Sequence, residues 1–364
     1  MRIGILTHYD VNNQGAQLQM CALHSFFKEQ GHDVVILTYE KDFRYLPQEK
    51  TKNVVSVRSI PFYIKHYVFA RGIGLTLFNV RKVLVNRRAR KSLLYAPYNT
   101  TEIDVAVIGS DEVFSVDVGI NEMMYGHGLH VPAVAYAPSF GIADEKTLKE
   151  RECEEIIKNG LKSMYRVSAR DEHTQQMVFA LTGRNVPMVC DPVLLYTGSY
   201  HSRPKTFSKP YMLIYSYDRH MIDPDEVNAL RQYAKKHGLM TVSAGTYHKW
   251  CDKNIVCNAE DWFGYFEGAQ CVVTDTFHGT VASLCNQANF ATCIRKKINA
   301  GKLNSLLMEM NLPERKLNAI TEEELERVLS SVPDYKRVNI RRNEMLEKSK
   351  AYLSEALEGL NEAN

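Results

Sequence analysis

Short apolar runs that end in polar or glycine-bearing turns, each followed by a helical pattern, recur along most of this chain. A run that is apolar on both faces must be covered on both faces, and in parallel α/β sheets helices cover it. Residues 2–7 are the first such run. A polar loop, 8–15, leads into a helical pattern over 16–30, where Leu18, Cys21, Ala22, Ser25 and Phe26 share a face and Gly31 follows the end. Residues 33–38 are the next strand, so strand, helix and strand predict a right-handed βαβ unit. The punctuation repeats: a strand over 104–108 ends in Gly109-Ser110-Asp111, and one over 131–137 ends in Pro138-Ser139-Phe140-Gly141. A polar helix over 145–159, a strand over 165–170, a helix over 171–182 and a strand over 186–190 complete the series.

These alternations predict one doubly wound α/β domain over 1–195. Residues 196–210 hold Gly198, Ser199, Ser202, Pro204, Ser208 and Pro210, the composition of a linker. A second series begins at 211–215. Asp223-Pro224-Asp225-Glu226 has a capping residue, a proline at the first helical position and a glutamate three on, which signals a helix start. Strands over 239–243 and 271–274 follow, then a capping box at 321–324. We therefore expect two Rossmann-like domains facing a cleft, 1–195 and 196–334, with a long helix over 335–364.

Composition narrows the function classes. No apolar run approaches the ~20 residues of a membrane span, and the start of the chain is too short and polar for a secretory signal. The eight cysteines include no Cys-x-x-Cys pair, and several sit in apolar stretches. That excludes a zinc ribbon and points to buried thiols in a reducing, cytoplasmic setting. Net charge is +3, yet residues 51–100 carry ten cations and no Asp or Glu. Segregated charge speaks of a partner. Apolar groups such as Ile60, Phe62, Leu75, Leu77 and Phe78 lie among the cations and suit an anionic membrane surface. Tyr63, Tyr67, Phe69 and Phe78 would also let bases stack, as in a nucleic-acid or polyanion binder. No nucleic-acid module accompanies them, so no nucleic-acid partner is expected.

In residues 271–284 a strand runs into a tight turn, Asp275-Thr276-Phe277-His278, and a small-residue helix starts near Gly279. Open α/β sheets bind ligands at such strand ends. Helix N–H groups there attract an anion, Gly279 allows close approach, and His278 carries a transferable proton; the alternative is a histidine capping its own turn. Arg170, at another strand end, suits a carboxylate or phosphate, or merely pairs with Asp171. Asn13-Gln14-Gly15 precedes the first helix without a G-x-G-x-x-G fingerprint and can simply be a turn. Asp111 can cap a helix or accept a proton from a substrate hydroxyl. Arg295, followed by two lysines, can meet phosphate or face solvent. There is no P-loop, no H-E-x-x-H and no G-x-S-x-G. His127 and His130 have no third ligand nearby, so no metal is expected.

The blocks DVAVIGSDEVF (104–114), AYAPSFG (135–141), VSARDE (167–172), CDPVLL (190–195) and TDTFHGTVASL (274–284) follow the Asn13-x-Gly15 loop in order. This set resembles the polysaccharide pyruvyl transferase family. The resemblance implies a fold like that of GT-B glycosyltransferases and transfer of the enolpyruvyl group of phosphoenolpyruvate, a co-substrate, onto a saccharide that is often lipid-linked. The product would be a pyruvate ketal, with no further cofactor. It implies His278 as the catalytic histidine and Arg170 as an arginine of the donor site. Thr276, Gly279, Thr280 and Arg295 are then expected on the donor side, and Asn13, Gly15, Ser110 and Asp111 on the acceptor side. Some members have Arg-Leu-His where this chain has Thr276-Phe277-His278, and the common GSDQVW reads Gly109-Ser-Asp-Glu112-Val-Phe114 here. A glycosyltransferase using a nucleotide sugar is the nearest rival.

Overall fold

Six parallel strands form the first sheet: β1 (Arg2–Leu6), β2 (Asp33–Thr38), β3 (Tyr95–Pro97), β4 (Val105–Ile108), β5 (Ala133–Ala135) and β6 (Arg166–Val167), in the order β3-β2-β1-β4-β5-β6. The second sheet is built the same way from β7 (Tyr211–Tyr215), β8 (Met240–Ala244), β9 (Lys253–Ile255), β10 (Cys271–Thr274), β11 (Phe290–Cys293) and β12 (Lys316–Leu317), ordered β12-β11-β10-β7-β8-β9. These elements come from a computed structural model that describes residues 1–40, 72–117, 121–195, 206–295 and 300–362. The central strands β1, β4, β7 and β10 are buried almost throughout, as helices on both faces require.

In each sheet the order reverses beside the first strand, between β1 and β4 and between β7 and β10. Crevices outside the carboxyl ends of such strands are where doubly wound sheets take ligands. Here both reversal points contribute to one place. Thr274 Oγ1 donates to the Tyr215 carbonyl at 2.6 Å and ties the ends of β10 and β7 together.

The helix Gln14–Glu29 joins the two sheets. Its Leu18, Leu23 and Phe27 belong to a continuous apolar cluster that also holds Ile3 and Val105 of the first sheet and Leu213, Val272 and Phe290 of the second. Gln14 Nε2 reaches across to the Cys257 carbonyl at 3.1 Å. The last helix, Tyr335–Glu362, returns to the first sheet, where Tyr352 Oη donates to the Ala135 carbonyl at 2.9 Å and Ser349 Oγ accepts the Cys190 N–H at 2.9 Å.

Several expected elements differ. The helix expected over 145–159 is two, Glu145–Glu150 and Glu154–Ser163, because Glu152 takes a left-handed turn (φ 53°) between them. Residues 186–190 make only one bridge, Ala169 to Met188, since Pro187 has no N–H for a ladder. Of the ten cations in 51–100, four (Lys52, Arg58, Lys65 and Arg71) lie outside the described residues. Two of the others do not form an open face: Lys82 is buried, and Arg90 pairs with Asp10 at 2.9 Å. The linker expected over 196–210 is described only from 206 onward.

Candidate active site

The turn after β10 is shaped by threonines. Thr276 is the N-cap of the helix Phe277–Cys285, its Oγ1 accepting the Gly279 N–H at 3.0 Å. The cap is thus Thr276 and not His278, which sits at the second helical position and faces the first domain. There Gly15 packs on it so closely that a Cβ at Gly15 would run into the His278 ring. His278 Nε2 lies 3.5 Å from Asp191 Oδ2. Asp191 is fully buried, and its other oxygen accepts the Val193 N–H at 3.0 Å.

Arg170 arrives from beyond β6. Its side chain is 2% exposed, and Nη1 donates to Asp111 Oδ1 at 3.2 Å and to Asp191 Oδ2 at 3.3 Å. The guanidinium carbon stands 4.6 Å from the Phe277 ring centroid, a cation–π contact. Nε and Nη2 are buried without a hydrogen-bond partner. Asp171 does not form the surface pair considered above: it caps the helix Glu172–Thr182 and accepts from Ser139 Oγ at 2.7 Å. Burial pushes the Asp111 carboxyl up, but His278, Arg170, His8 and Lys302 outweigh it and hold it well below the usual carboxylate range. Asp191 is lowered in the same way, with burial opposed by His278 and Arg170. Arg170, His278 and the two carboxylates therefore form one cluster drawn from both domains.

Two cavities flank this cluster. The smaller, about 260 Å³, is lined by His8, Asp111, Tyr217, Thr276 and His278 among others. The larger, about 710 Å³, is lined by Arg170 and Asp191 and roofed by the last helix through Met345 and Tyr352. Phe277 and Lys302 line both.

The remaining expected site residues have other work. Asn13 lines the smaller cavity, while its Oδ1 caps the first helix by accepting from Gly15 and Ala16 N–H. Ser110 is buried, its Oγ bonded to Gln19 Oε1 at 2.9 Å. The Gly279 N–H is engaged by Thr276, and a Cβ there would meet Thr274 Oγ1, so its smallness serves helix–strand packing. Thr280 is buried, its Oγ1 bonded to the Thr276 carbonyl and within 3.0 Å of Thr292 Oγ1. Arg295 is held by Asp275 at 2.9 Å and by both oxygens of Glu226 at 3.0 and 2.9 Å, so its cation is already matched. Sequence reasoning passed over His8, Tyr217 and Lys302 and gave no role to Glu112 or Asp191, although both lie in the quoted blocks. Two of these carried a signal, Asp191 as an aspartate between an apolar stretch and a proline and Glu112 as a departure from the GSDQVW block. Among the described residues no cluster of three or more His, Cys, Asp or Glu side chains is arranged to hold a metal ion.

Comparison with solved structures agrees with this architecture. SnogD, a glycosyltransferase of Streptomyces nogalater, superposes with a TM-score of 0.50 at 13% identity, covering 98% of this chain and 99% of that one. UGT89C1 of Arabidopsis thaliana, solved with UDP-L-rhamnose, gives a TM-score of 0.53 at 10% identity, with 99% and 98% covered. At such identity the likeness concerns the fold, which is GT-B-like. A search of curated proteins found no match. A family model described as polysaccharide pyruvyl transferase matches residues 13–295. That span runs from the loop that packs on His278, through Arg170 and Asp191, to the arginine that anchors Asp275, and the chain belongs to the polysaccharide pyruvyl transferase family.

Proposed function

We propose that the protein transfers the enolpyruvyl group of phosphoenolpyruvate to a saccharide, closing a pyruvate ketal across two hydroxyls and releasing phosphate. The observation that carries this reading is Arg170. A guanidinium fixed by two carboxylates and a phenyl ring, with Nε and Nη2 still unmatched in a buried site, is built for a small planar anion such as the donor carboxylate. Arg170 lines the cavity of about 710 Å³ and His278 the one of about 260 Å³, with Phe277 and Lys302 lining both, so a donor held by Arg170 and protonated by His278 would lie where the two meet. The larger cavity offers room for more than one sugar ring of the acceptor.

In this reading His278 delivers the proton that converts the vinyl CH₂ into a methyl group. Asp191, 3.5 Å from Nε2, balances the positive ring. The cation-like carbon that results is attacked by one sugar hydroxyl; phosphate leaves, and the second hydroxyl closes the ketal. Two hydroxyl protons depart: one replaces the proton donated to the methyl, and one leaves with phosphate. A histidine suits both giving and receiving near neutral pH.

The acceptor is proposed to be lipid-linked and reached from the cytoplasmic face of a membrane. Support comes from the helix Ile73–Arg90, where Ile73, Leu77, Val80 and Leu84 recur at helical spacing, each more than half exposed. Arg81, Arg87 and Arg88 are exposed on the same helix. An apolar stripe edged by arginines fits an anionic leaflet. No helix among the described residues is long and apolar enough to cross a membrane.

A donor comparison tests the reaction: phosphate released from phosphoenolpyruvate only when saccharide is present supports it. Release of nucleotide from a nucleotide sugar, without use of phosphoenolpyruvate, replaces it with the glycosyltransferase reading.

A further inference from the structure

The cations around the cleft differ in how easily they can be given to a ligand. Arg170 is shared between Asp111 and the fully buried Asp191. Arg295 is held by Glu226 and by Asp275, a carboxylate 1% exposed. Drawing either arginine away takes a guanidinium from a buried carboxylate, leaving Asp275 with His220 at 2.6 Å and Asp191 with His278 at 3.5 Å, and uncompensated burial of that kind is costly. Lys302 stands in a different position. Its ammonium pairs with Glu112, whose side chain is 38% exposed, so water can take over that carboxylate when the pair opens. The pair also spans the molecule: Lys302 is on the helix Ala300–Glu309 of the second domain, and Glu112 follows β4 of the first. Lys302 is itself 14% exposed and lines both cavities, against Phe277 and on the His278 side of the cleft.

We propose that Lys302 is a phosphoryl latch: without ligand it closes across the cleft on Glu112, and a phosphoryl group entering between the domains takes its ammonium and releases Glu112 to water. A phosphoryl group with two negative charges and three acceptor oxygens competes well against a single carboxylate for one ammonium. The exchange changes no covalent bond. It trades an ion pair exposed only on its Glu112 side for a charge-assisted contact inside the cleft, and it separates roles: Arg170 meets the carboxylate of the donor and Lys302 its phosphate. The latch rests on the pyruvyl-transfer reading for the identity of the phosphate carrier, although not for the contact itself.

Calorimetric titration of the full chain with phosphoenolpyruvate, inorganic phosphate and pyruvate tests it. Lys302→Met is expected to weaken phosphoenolpyruvate and phosphate binding roughly 10- to 100-fold, as loss of one charge-assisted hydrogen bond implies. Pyruvate, which lacks the phosphoryl group, keeps its affinity, and Lys302→Arg restores most of the loss. Glu112→Gln removes the competing carboxylate and tightens phosphoenolpyruvate binding, and the gain is expected to vanish when Lys302→Met is already present. The latch is overturned by wild-type affinity in a folded Lys302→Met protein, by Glu112→Gln weakening binding as Lys302→Met does, or by a wild-type protein that binds neither phosphoenolpyruvate nor phosphate. Binding of phosphate through Lys302 with no pyruvyl transfer keeps the latch and removes the pyruvyl-transfer reading.

Discussion

Exchanging Arg170 for lysine retains a positive charge and removes the planar fork. In the wild-type protein one nitrogen of the guanidinium, Nη1, serves both Asp111 and Asp191, while Nε and Nη2 have no protein partner. A lysine ammonium can remain with the two carboxylates, yet it leaves nothing where Nε and Nη2 stood, and its stacking on Phe277 goes as well. Charged hydrogen bonds contribute about 1.5–3 kcal/mol each. Partial compensation by the ammonium leaves a loss of about 1–3 kcal/mol, or roughly 5- to 150-fold in KM for phosphoenolpyruvate. Initial rates of phosphate release at saturating acceptor measure this, and the acceptor KM is expected to stay unchanged. An unchanged KM for phosphoenolpyruvate in Arg170→Lys refutes the assignment of Arg170 to the donor.

Arg170→Met probes the same cluster through pH. Asp111 and Asp191 have folded-state values below those of the unfolded chain, so their contribution is present above the ordinary carboxylate range and is lost as pH falls through the lowered values. Removing the cation takes away one of the groups that hold both carboxylates down, so the variant is worst off near neutral pH, by about 3–5 kcal/mol, and its deficit shrinks at acid pH as the carboxylates protonate. Denaturant melts at neutral and acid pH check this; a deficit independent of pH contradicts it. His278→Ala is expected to lower turnover by ~10²–10⁴ with the fold intact, read from kcat and circular dichroism. Sedimentation with anionic liposomes should pellet the wild type at low salt and release it at high salt, and Leu77→Asp with Leu84→Asp should leave the protein in the supernatant. A wild type that stays in the supernatant at low salt removes the membrane surface from the account.

Much of the frame was readable because local patterning and tertiary demand coincide. The runs that became β1, β2, β4, β7 and β10 are apolar on both faces, which only a covered parallel sheet satisfies. The turn before His278 was readable as a strand-to-helix junction, although the capping residue proved to be Thr276. The carboxylate beside His278 was not readable as such: Asp191 meets it only because the second domain folds over the first, far from it in sequence. The same holds for Gly15, which looks like any turn glycine until His278 is packed on it. Arg295 shows the same dependence on distant partners. A basic residue after a strand invites a phosphate reading, and nothing local reveals that Glu226 and Asp275 already match its charge. The edge strand β3 escaped notice because Tyr95–Pro97 is short, half-exposed and ends in proline.

The fate of the donor carbons separates pyruvyl transfer from glycosyl transfer most directly. Phosphoenolpyruvate and a saccharide acceptor incubated with the protein in deuterium oxide should give a ketal whose methyl group carries one deuterium from solvent, by proton and carbon NMR, with one phosphate released per ketal formed. Phosphoenolpyruvate recovered intact across an acceptor series while a nucleotide sugar is consumed would contradict it.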